Sequence, residues 1–362
     1  MKNLPLPQYP VRSDLWDRLK NEKRPIVIYG MGNGADKLIC KFRQYGISFA
    51  DIFASDGFVR GHSFHGIRVK SFTEIKGKYQ DFVIVLSFAS SRPEVIEMIS
   101  KMNDEYSLVV PDMPVAQNVY FDKDFYNLNY ERIKSVYDKF EDALSKFIYS
   151  SCIWYKLTGE LSYLLNAYSE KEEIYRLIGE GVTVMADAGA YNGDTVKEAI
   201  EHFGGLKRIY AFEPDKKNFK KLERFKSEYE GDIEILIENS GVWCENTNGS
   251  FSESGNRNSS INATASYKTR ENSVSLTRLD TFINEKVDYI KFDVEGAEAE
   301  ALIGTEGIIA KDFPTMLISA YHKSEDLFSL AEYIIENFSE YKIYLRRTLC
   351  FPAWEICLIV KK

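Results

Sequence analysis

The chain has 362 residues, of which 44% are hydrophobic and 28% charged, and its formal net charge is −8. This length suits two or three domains, and the composition is that of an ordinary globular protein. The acidic balance argues against a broad electrostatic interface for nucleic acid, because such an interface needs an excess of Lys and Arg.

The cysteines and the amino terminus bear on the cellular compartment. Five cysteines are scattered along the chain without a Cys-x-x-Cys pair, which favours neither a zinc site nor a disulfide framework. We therefore predict reduced thiols and a cytoplasmic location. The first residues lack the apolar core of a signal peptide, and no apolar run approaches the length of a transmembrane helix, so no transmembrane segment is expected.

A glycine-rich turn opens the first α/β unit. An apolar run at residues 25–29 leads into Gly30, Gly32 and Ala35, which match the alanine-ended form of the dinucleotide-binding fingerprint. The pattern predicts a helix at residues 37–45 directly after this turn. The further predicted elements are strands at residues 49–53, at 82–88 and near 109, and a helix at residues 94–102.

This first unit is small. It ends near Pro114, which is too early for a complete two-half dinucleotide fold, and no catalytic cluster accompanies it. We predict a smaller Rossmann-like domain over residues 1–115. Through Gly61-His62 and residues 66–69 it resembles the small Rossmann-like modules of sugar-modifying and polysaccharide-assembly proteins. Two alternatives stay open: the domain binds a nucleotide or nucleotide-sugar, or it is a docking or dimerisation module of a homo-oligomer.

Helical spacing dominates the middle of the chain. Apolar residues recur at steps of three and four from residue 130 to 147, which predicts an amphipathic helix. The pattern continues at residues 154–165 after an expected bend at Ser150-Ser151. We assign residues 116–180 to a helical connector and residues 181–362 to a second domain.

A strand, a glycine-containing turn and a helix begin the second domain. The apolar run ending at Met185 leads into the turn, and apolar residues recur at helical spacing after it. The turn glycines allow the backbone to approach a ligand, and the helix start directs its N–H groups toward it. The predicted cofactor-binding residues of this turn are Asp187, Ala188, Gly189, Ala190, Tyr191, Gly193 and Asp194.

Two further strands end in acidic residues. The strand at residues 209–212 leads to Glu213, and an acidic residue in this position of a doubly wound fold holds a ribose diol. A later strand ends in Asp293 and Glu295 around Gly296. Residues two apart in an extended segment share a face, so both carboxylates are expected to point into one pocket.

These stretches resemble, in order and at natural spacing, the successive motifs of FkbM-type S-adenosylmethionine-dependent methyltransferases. The matching stretches are Asp187-Ala-Gly-Ala-Tyr-Asn-Gly-Asp194, Phe212-Glu-Pro214, Leu279-Asp280, Ile290-Lys-Phe-Asp-Val-Glu-Gly-Ala-Glu298 and Ser319-Ala-Tyr-His-Lys-Ser-Glu-Asp326. The resemblance covers roughly the carboxyl-terminal half of the chain. It implies a doubly wound sheet of seven strands in the order 3-2-1-4-5-7-6, with an antiparallel last pair.

The resemblance also implies a cofactor and a reaction. The cofactor is S-adenosylmethionine, with Asn239 and Ser240 as candidates for the adenine edge at the end of the third strand. The reaction is O-methyl transfer to a hydroxyl group of a sugar, glycan precursor or related small molecule. The helical connector would form part of the substrate-side wall, with Tyr155 as a candidate pocket residue, or else serve only as a packing spacer.

We predict Asp293, Glu295 and His322 as the catalytic residues. An aliphatic hydroxyl is a poor nucleophile until a base takes its proton, and a histidine titrates near neutral pH. His322 is therefore either the base or a residue that positions the substrate. The three side chains could bind a divalent metal, although none is expected. Arg346 and Arg347 are either anchors for an anionic substrate or exposed charges.

The polar stretch from residue 244 to 273 has few apolar residues, which predicts either a lid over the substrate or a disordered loop. Two functions other than methyl transfer also stay open. One is an NAD- or nucleotide-sugar-dependent enzyme that uses the turn from Gly30 to Ala35. The other is a non-catalytic scaffold in which both α/β units only bind ligands or partners.

Overall fold

The first part of the chain folds around a small parallel sheet. The computed structural model describes residues 4–59, 61–251, 261–262 and 272–362. Its first elements are α1 (Leu15–Asn21), β1 (Ile26–Tyr29), α2 (Asn33–Tyr45), β2 (Asp51–Ala54), β3 (Ser63–Phe64), β4 (Ile67–Arg68), β5 (Lys70–Ser71), α3 (Phe72–Lys78), β6 (Val83–Leu86), α4 (Pro93–Glu105) and β7 (Ser107–Val109). The sheet order is β5-β2-β1-β6-β7 with parallel neighbours. This is the Rossmann-like unit that the sequence predicts.

Helices connect the two sheets. They are α5 (Lys123–Lys139), α6 (Ala143–Thr158), α7 (Leu161–Leu165) and α8 (Lys171–Ile178). The predicted bend at Ser150-Ser151 is wrong, because α6 runs through these two buried serines without a break. The chain turns instead at residues 140–142, where the Asp142 side chain caps α6 by accepting a hydrogen bond from the Ser145 N–H at 2.7 Å.

A seven-stranded sheet forms the centre of the second domain. The remaining elements are β8 (Val184–Ala188), α9 (Asp194–His202), β9 (Arg208–Phe212), α10 (Lys216–Glu228), β10 (Glu234–Glu238), β11 (Ser240–Val242), β12 (Thr247–Phe251), β13 (Ile261–Asn262), β14 (Asn272–Thr277), α11 (Leu279–Phe282), β15 (Tyr289–Phe292), α12 (Glu298–Ile303), α13 (Glu306–Asp312), β16 (Thr315–Ser319), α14 (Asp326–Asn337), β17 (Lys342–Arg347) and β18 (Ile356–Lys361). The sheet order is β10-β9-β8-β15-β16-β18-β17, and β18 is antiparallel to both of its neighbours. The implied strand order 3-2-1-4-5-7-6 is confirmed.

The polar stretch after the third strand contains strands as well as loop. Among the described residues, β11, β14, β12 and β13 form a second, four-stranded sheet in that order. Residues 247–251 pair antiparallel with 272–276, so the prediction of a lid or a disordered loop is wrong for this part. The prediction for residues 252–260 and 263–271 lies outside the described residues. Side-chain polarity did not prevent pairing here, because the ladder hydrogen bonds come from the backbone.

The connector packs tightly against both sheets. One hydrophobic cluster includes Ile84 of β6, Tyr149 of α6 and Ile290 of β15. Lys156 of α6 also forms a buried ion pair with Asp112 at 2.6 Å. We retain residues 115 and 180 as proposed domain boundaries. Among the described residues, the search for a helix both long and apolar enough to cross a bilayer found none.

The start of the connector links the first domain to the end of strand β16. Lys37 of α2 donates hydrogen bonds to the carbonyl oxygens of Pro114 and Val115 at 2.9 and 3.2 Å. The backbone N–H of Ala116 donates to the carbonyl oxygen of His322 at 2.8 Å. The position of His322 therefore depends on both domains.

Candidate functional site

The carboxyl ends of the central strands border a cavity of about 810 Å³. It lies beside the ends of β8, β9, β15 and β16, the region where open α/β sheets bind ligands. The sequence-predicted residues that line it are Gly189, Tyr191, Asp194, Glu213, Asp293 and Glu295. Within the described part of the chain, the predicted residues outside this lining are Asp187, Ala188, Ala190, Gly193, Asn239, Ser240 and His322.

The carboxylate of Asp187 has its partners inside the protein. It is fully buried at the end of β8, accepts a hydrogen bond from the Thr195 hydroxyl and lies 3.4 Å from Lys291 Nζ. Burial raises the pKa of Asp187, and the Lys291 charge opposes this rise. The sequence predicted that Asp187 contacts the cofactor. In this geometry the carboxylate fixes the turn from β8 into α9, and its contact with a cofactor stays a prediction.

The turn after β8 needs glycine at position 189. Gly189 has a φ of +91°, and a Cβ atom there would lie 1.9 Å from the carbonyl oxygen of Asp293. The N–H groups of Gly189 and Ala190 donate to the Phe212 carbonyl oxygen at 3.0 and 2.9 Å. The turn is thereby held against the ends of β9 and β15, and its backbone borders the cavity.

Glu213 ties this turn to the end of the second strand. Its carboxylate accepts hydrogen bonds from the backbone N–H groups of Tyr191 at 2.9 Å and Asp215 at 2.8 Å. Burial raises the pKa of Glu213 to about 7, against the lowering effect of these two hydrogen bonds. A carboxylate oxygen has more than one lone pair, so Glu213 can still accept hydrogen bonds from a ligand in the cavity.

The residues after the third strand differ in their roles from the prediction. The Asn239 side-chain amide donates to the carbonyl oxygen of Glu213 at 2.8 Å. This bond fixes the backbone at Glu213, a residue that lines the cavity. Ser240 is buried at the start of β11. Gly241 and Val242 line the cavity instead. The sequence placed this wall one to three residues too early, because it did not predict β11.

Asp293 and Glu295 both line the cavity from the turn after β15; Val294 between them lines it too, so the turn and not alternation along an extended strand brings the two carboxylates together. Their side chains are 33% and 39% exposed. The backbone of Glu295 has a φ of +56°, a left-handed conformation that non-glycine residues rarely adopt. Such strain persists where the surrounding structure enforces it and is common at functional sites.

His322 lies against these carboxylates but is almost fully buried, with 1% exposure. Its Nε2 atom lies 3.6 Å from Asp293 Oδ1 and 3.6 Å from Glu295 Oε2. On the other side of the ring, Nδ1 lies 3.0 Å from Glu298 Oε1. The structure therefore brings the three predicted catalytic residues together and adds Glu298 to them.

The electrostatics distinguish the three catalytic candidates. Burial alone lowers the pKa of His322, but the surrounding carboxylates, that of Glu298 first, outweigh it and raise this pKa to about 10. Burial raises the pKa of Glu295 to about 7, against the opposing charge of His322. Burial also acts to raise the pKa of Asp293, but Lys291 and His322 bring it below its usual value. At neutral pH, His322 is protonated, Asp293 is ionised, and Glu295 is close to its midpoint.

Lys291 is a functional candidate that the sequence prediction missed. Its Nζ atom lies 3.4 Å from Asp187 Oδ1, 3.4 Å from the Gly189 carbonyl oxygen and 3.5 Å from Asp293 Oδ2. Burial lowers its pKa, but the carboxylates of Asp187 and Asp293 outweigh burial and leave this pKa above its usual value. The signal was a single cationic residue inside an otherwise apolar central strand.

Asp293, Glu298 and His322 are grouped closely enough to hold a metal ion, with one donor atom from each within 4.8 Å of the others. The ammonium group of Lys291 lies 3.5 Å from Asp293, and the imidazole carries a proton in this environment. Two positive charges thus already compensate these carboxylates. The expectation of a site without metal stays a prediction.

Arg346 and Arg347 are neither exposed nor directed at a substrate, so both interpretations from the sequence are wrong. The Arg346 guanidinium pairs with Asp142 at 2.6 Å and Glu173 at 3.1 Å. Arg347 is fully buried and donates to backbone carbonyl oxygens of the connector. Tyr155 is also fully buried in the hydrophobic core, outside the cavity lining of the described residues.

The glycine turn of the first domain packs against its own sheet. A Cβ atom at Gly30 would lie 2.7 Å from the Phe88 ring, and one at Gly34 would lie 2.1 Å from the Ser87 carbonyl oxygen. These positions require glycine because of packing within the domain. They do not by themselves indicate a bound dinucleotide.

Comparison with known proteins gives one family match and two similar structures. Residues 187–344 match the family model described as the methyltransferase FkbM domain. The crystal structure of methyltransferase FkbM from Methylobacillus flagellatus KT is similar over 94% of this chain and 91% of that chain, with 20% sequence identity and a TM-score of 0.69. An rRNA methylase from Streptococcus thermophilus is similar over 54% of this chain and 96% of that chain, with 15% identity and a TM-score of 0.37. A search of curated proteins found no match.

The likeness to the Methylobacillus flagellatus structure extends over both domains and the connector. At this level of identity it shows a shared fold. Together with the family match, it confirms the α/β fold class and the methyltransferase form of the second sheet.

Proposed function

Residues 187–344 form a methyltransferase domain of the FkbM family, and from this we propose that the chain transfers a methyl group from S-adenosylmethionine to a hydroxyl group. When bound, this cofactor supplies an electrophilic methyl group on a sulfonium. The observation that carries the proposal is the shared cavity. Glu213 and the carboxylates of Asp293 and Glu295 all line it.

In the proposed complex, Glu213 accepts hydrogen bonds from the ribose hydroxyl groups. The backbone of Gly189, Tyr191 and Asp194 borders the methionine end, and Gly241 with Val242 contacts the adenine. This arrangement is supported by the hydrogen bond from the Tyr191 N–H to Glu213, which fixes the carboxylate of Glu213 relative to the turn. It follows the general use of an acidic residue at the end of a second strand.

We assign the role of general base to Glu295. Methyl transfer is an in-line displacement: the acceptor oxygen bonds to the methyl carbon, the carbon–sulfur bond breaks, and the hydroxyl proton goes to the base. A pKa of about 7 suits Glu295 for that proton near neutral pH. His322, with a pKa of about 10, remains protonated and faces both carboxylates as a counter-charge.

A polyhydroxylated acceptor, such as a sugar or glycan precursor, fits the two carboxylates best. Asp293 is ionised and can accept a hydrogen bond from a second hydroxyl group while Glu295 takes the proton of the first. Candidate sugars and nucleotide-sugars incubated with isotope-labelled cofactor would identify the acceptor by mass spectrometry. Incorporation into an amine and into none of the hydroxyl compounds would contradict O-methyl transfer.

Binding of S-adenosylhomocysteine should tighten as the pH rises through about 7. Ribose hydroxyl groups donate to the ionised form of Glu213, whose pKa is raised to about 7 by burial. Binding should therefore favour loss of the proton, and we expect the affinity to rise by about fivefold to tenfold between pH 6 and pH 8. Isothermal titration calorimetry at several pH values measures this change.

Glu213→Gln should weaken binding and remove its pH dependence. Glu295→Gln is the matched control, because the pKa of Glu295 is also raised to about 7 but this residue is assigned to the acceptor hydroxyl and not to the ribose. That variant should keep the pH dependence of the native chain. If the affinity of Glu213→Gln for S-adenosylhomocysteine still rises with pH, Glu213 is not the residue that binds the ribose.

A further inference from the structure

A carboxylate that the proposed chemistry does not use lies against the Nδ1 side of the His322 imidazole. Glu298 is the first residue of α12 and has no exposed surface. Its Oε1 atom lies 3.0 Å from His322 Nδ1. A carboxylate this deeply buried is stable only where positive charge or N–H donors compensate it, and the imidazolium is the cation in contact with it.

The same oxygen of Glu298 also holds the turn that carries Glu295. It accepts hydrogen bonds from the backbone N–H groups of Val294 at 3.0 Å and Gly296 at 3.4 Å. These two residues flank Glu295, whose φ of +56° is unfavourable for a side chain with a Cβ atom. One side chain thus contacts both the imidazole and the strained turn.

Other charged groups surround the imidazole on each packed element. Asp293 and Glu295 face its Nε2 atom from the turn after β15. Asp326, at the start of α14, is buried near Glu298 and accepts a hydrogen bond from the Lys323 N–H at 2.8 Å. Burial and Glu298 both raise the pKa of Asp326 well above its usual value.

We propose that Glu298 is the positioning residue of the site: it orients the His322 ring so that Nε2 faces Asp293 and Glu295, places a negative charge beside that ring, and holds Glu295 in its strained conformation. The inference rests on the proposed function for its effect on turnover. Its effect on the imidazole can be measured without any methyl acceptor. Glu298 itself exchanges no proton with the acceptor, whose proton goes to Glu295.

The decisive variant is Glu298→Gln. Glutamine has nearly the same shape and its carbonyl oxygen can still accept from Val294 and Gly296, so the turn should remain, but the negative charge beside His322 is lost. We expect the titration of His322 to move to lower pH by more than one pH unit. Nuclear magnetic resonance of the imidazole nitrogens measures this shift, and the chain has only 4 histidines, so a His322→Gln spectrum assigns the signal.

In turnover, Glu298→Gln should lower kcat by about 10-fold to 100-fold, the usual cost of losing a carboxylate that orients a functional histidine. The alkaline limb of the pH–rate profile should move to lower pH, while the affinity for S-adenosylhomocysteine should stay within about twofold of the native value. Glu298→Asp keeps the negative charge, so His322 should titrate closer to its native pH than it does in Glu298→Gln. Glu300→Gln, on the same helix, is the control and should leave the titration unchanged.

Three outcomes separate the proposals. An unshifted His322 titration in Glu298→Gln would overturn the positioning role, whatever the activity. A shifted titration in a chain that methylates no hydroxyl compound would support the role of Glu298 and contradict the proposed function instead. If Glu298→Gln does not fold, the native chain decides: a His322 imidazole that loses its proton near the ordinary pKa of a histidine would also overturn the proposal.

Discussion

Replacing Glu295 with glutamine is expected to lower kcat by about 100-fold to 10,000-fold, the range that a positioned general base contributes. Glutamine keeps the length of the side chain but cannot take the proton of the acceptor hydroxyl. Binding of S-adenosylhomocysteine should change little, because the ribose is assigned to Glu213 and Glu295 to the acceptor hydroxyl. Steady-state turnover and calorimetry on the same preparation provide both measurements.

The pH profile of the native enzyme tests the same assignment in a second way. The base must be ionised, so kcat/KM should rise as the pH rises through about 7, the pKa to which burial raises Glu295. It should fall again only as His322 loses its proton near pH 10. If His322 were the base, activity would instead rise toward pH 10.

The variants His322→Gln and Glu295→Gln should therefore differ in their pH profiles. His322→Gln should lower turnover but keep an acid limb, since Glu295 is still present; this limb should move to higher pH, because the charge of His322 no longer lowers the pKa of Glu295. Glu295→Gln should lose that limb. If His322→Gln loses the limb and Glu295→Gln keeps it, the two roles must be exchanged.

Lys291→Met is expected to lower the free energy of unfolding by about 3 kcal/mol, the order found when one partner of a buried ion pair is removed. Methionine fills a similar volume, but it leaves the fully buried carboxylate of Asp187 without its cation. Asp293 loses the same partner but is 33% exposed, so water compensates part of its loss. Urea denaturation of the variant and of the native chain gives the difference in their free energies of unfolding.

Lys286→Met is the matched control. Lys286 pairs with Asp288 at 3.0 Å just before the same strand, but its side chain is 70% exposed. We expect a change within about 0.5 kcal/mol, as for most surface pairs. The double variant Lys291→Met with Asp187→Asn should recover part of the lost stability, because it leaves no uncompensated charge at position 187. If Lys291→Met and Lys286→Met lower the free energy of unfolding equally, Lys291 does not stabilise the buried carboxylate of Asp187.

The turns of the second domain could be predicted from local chemistry, whereas the order of its seven strands followed only from the family resemblance. Gly189 needs a positive φ and a close approach to Asp293, and such a glycine is visible in the sequence as part of a spaced motif. The sequence also predicted that Asp293 and Glu295 share a pocket, although the turn after β15 and not strand alternation brings them there. These are properties of neighbouring residues, which a single sequence contains directly.

Other features depend on contacts between residues far apart in the chain. Lys291 meets Asp187 across 104 residues, and Arg346 meets Asp142 across 204. No local sequence pattern indicates such pairs. The sequence therefore predicts Arg346 to be either an exposed charge or an anchor for an anionic substrate. The pairing of residues 247–251 with 272–276 was missed for the same reason, since polar side chains gave no alternation to indicate a strand.

A crystal structure of the chain with S-adenosylhomocysteine would test the central claim most directly. We predict that the ligand occupies the cavity at the edge of the seven-stranded sheet. Its ribose hydroxyl groups should lie within hydrogen-bonding distance of the Glu213 carboxylate, and its sulfur should face Glu295. A ligand bound at the turn from Gly30 to Ala35, or a cavity that stays empty at saturating ligand, would contradict it.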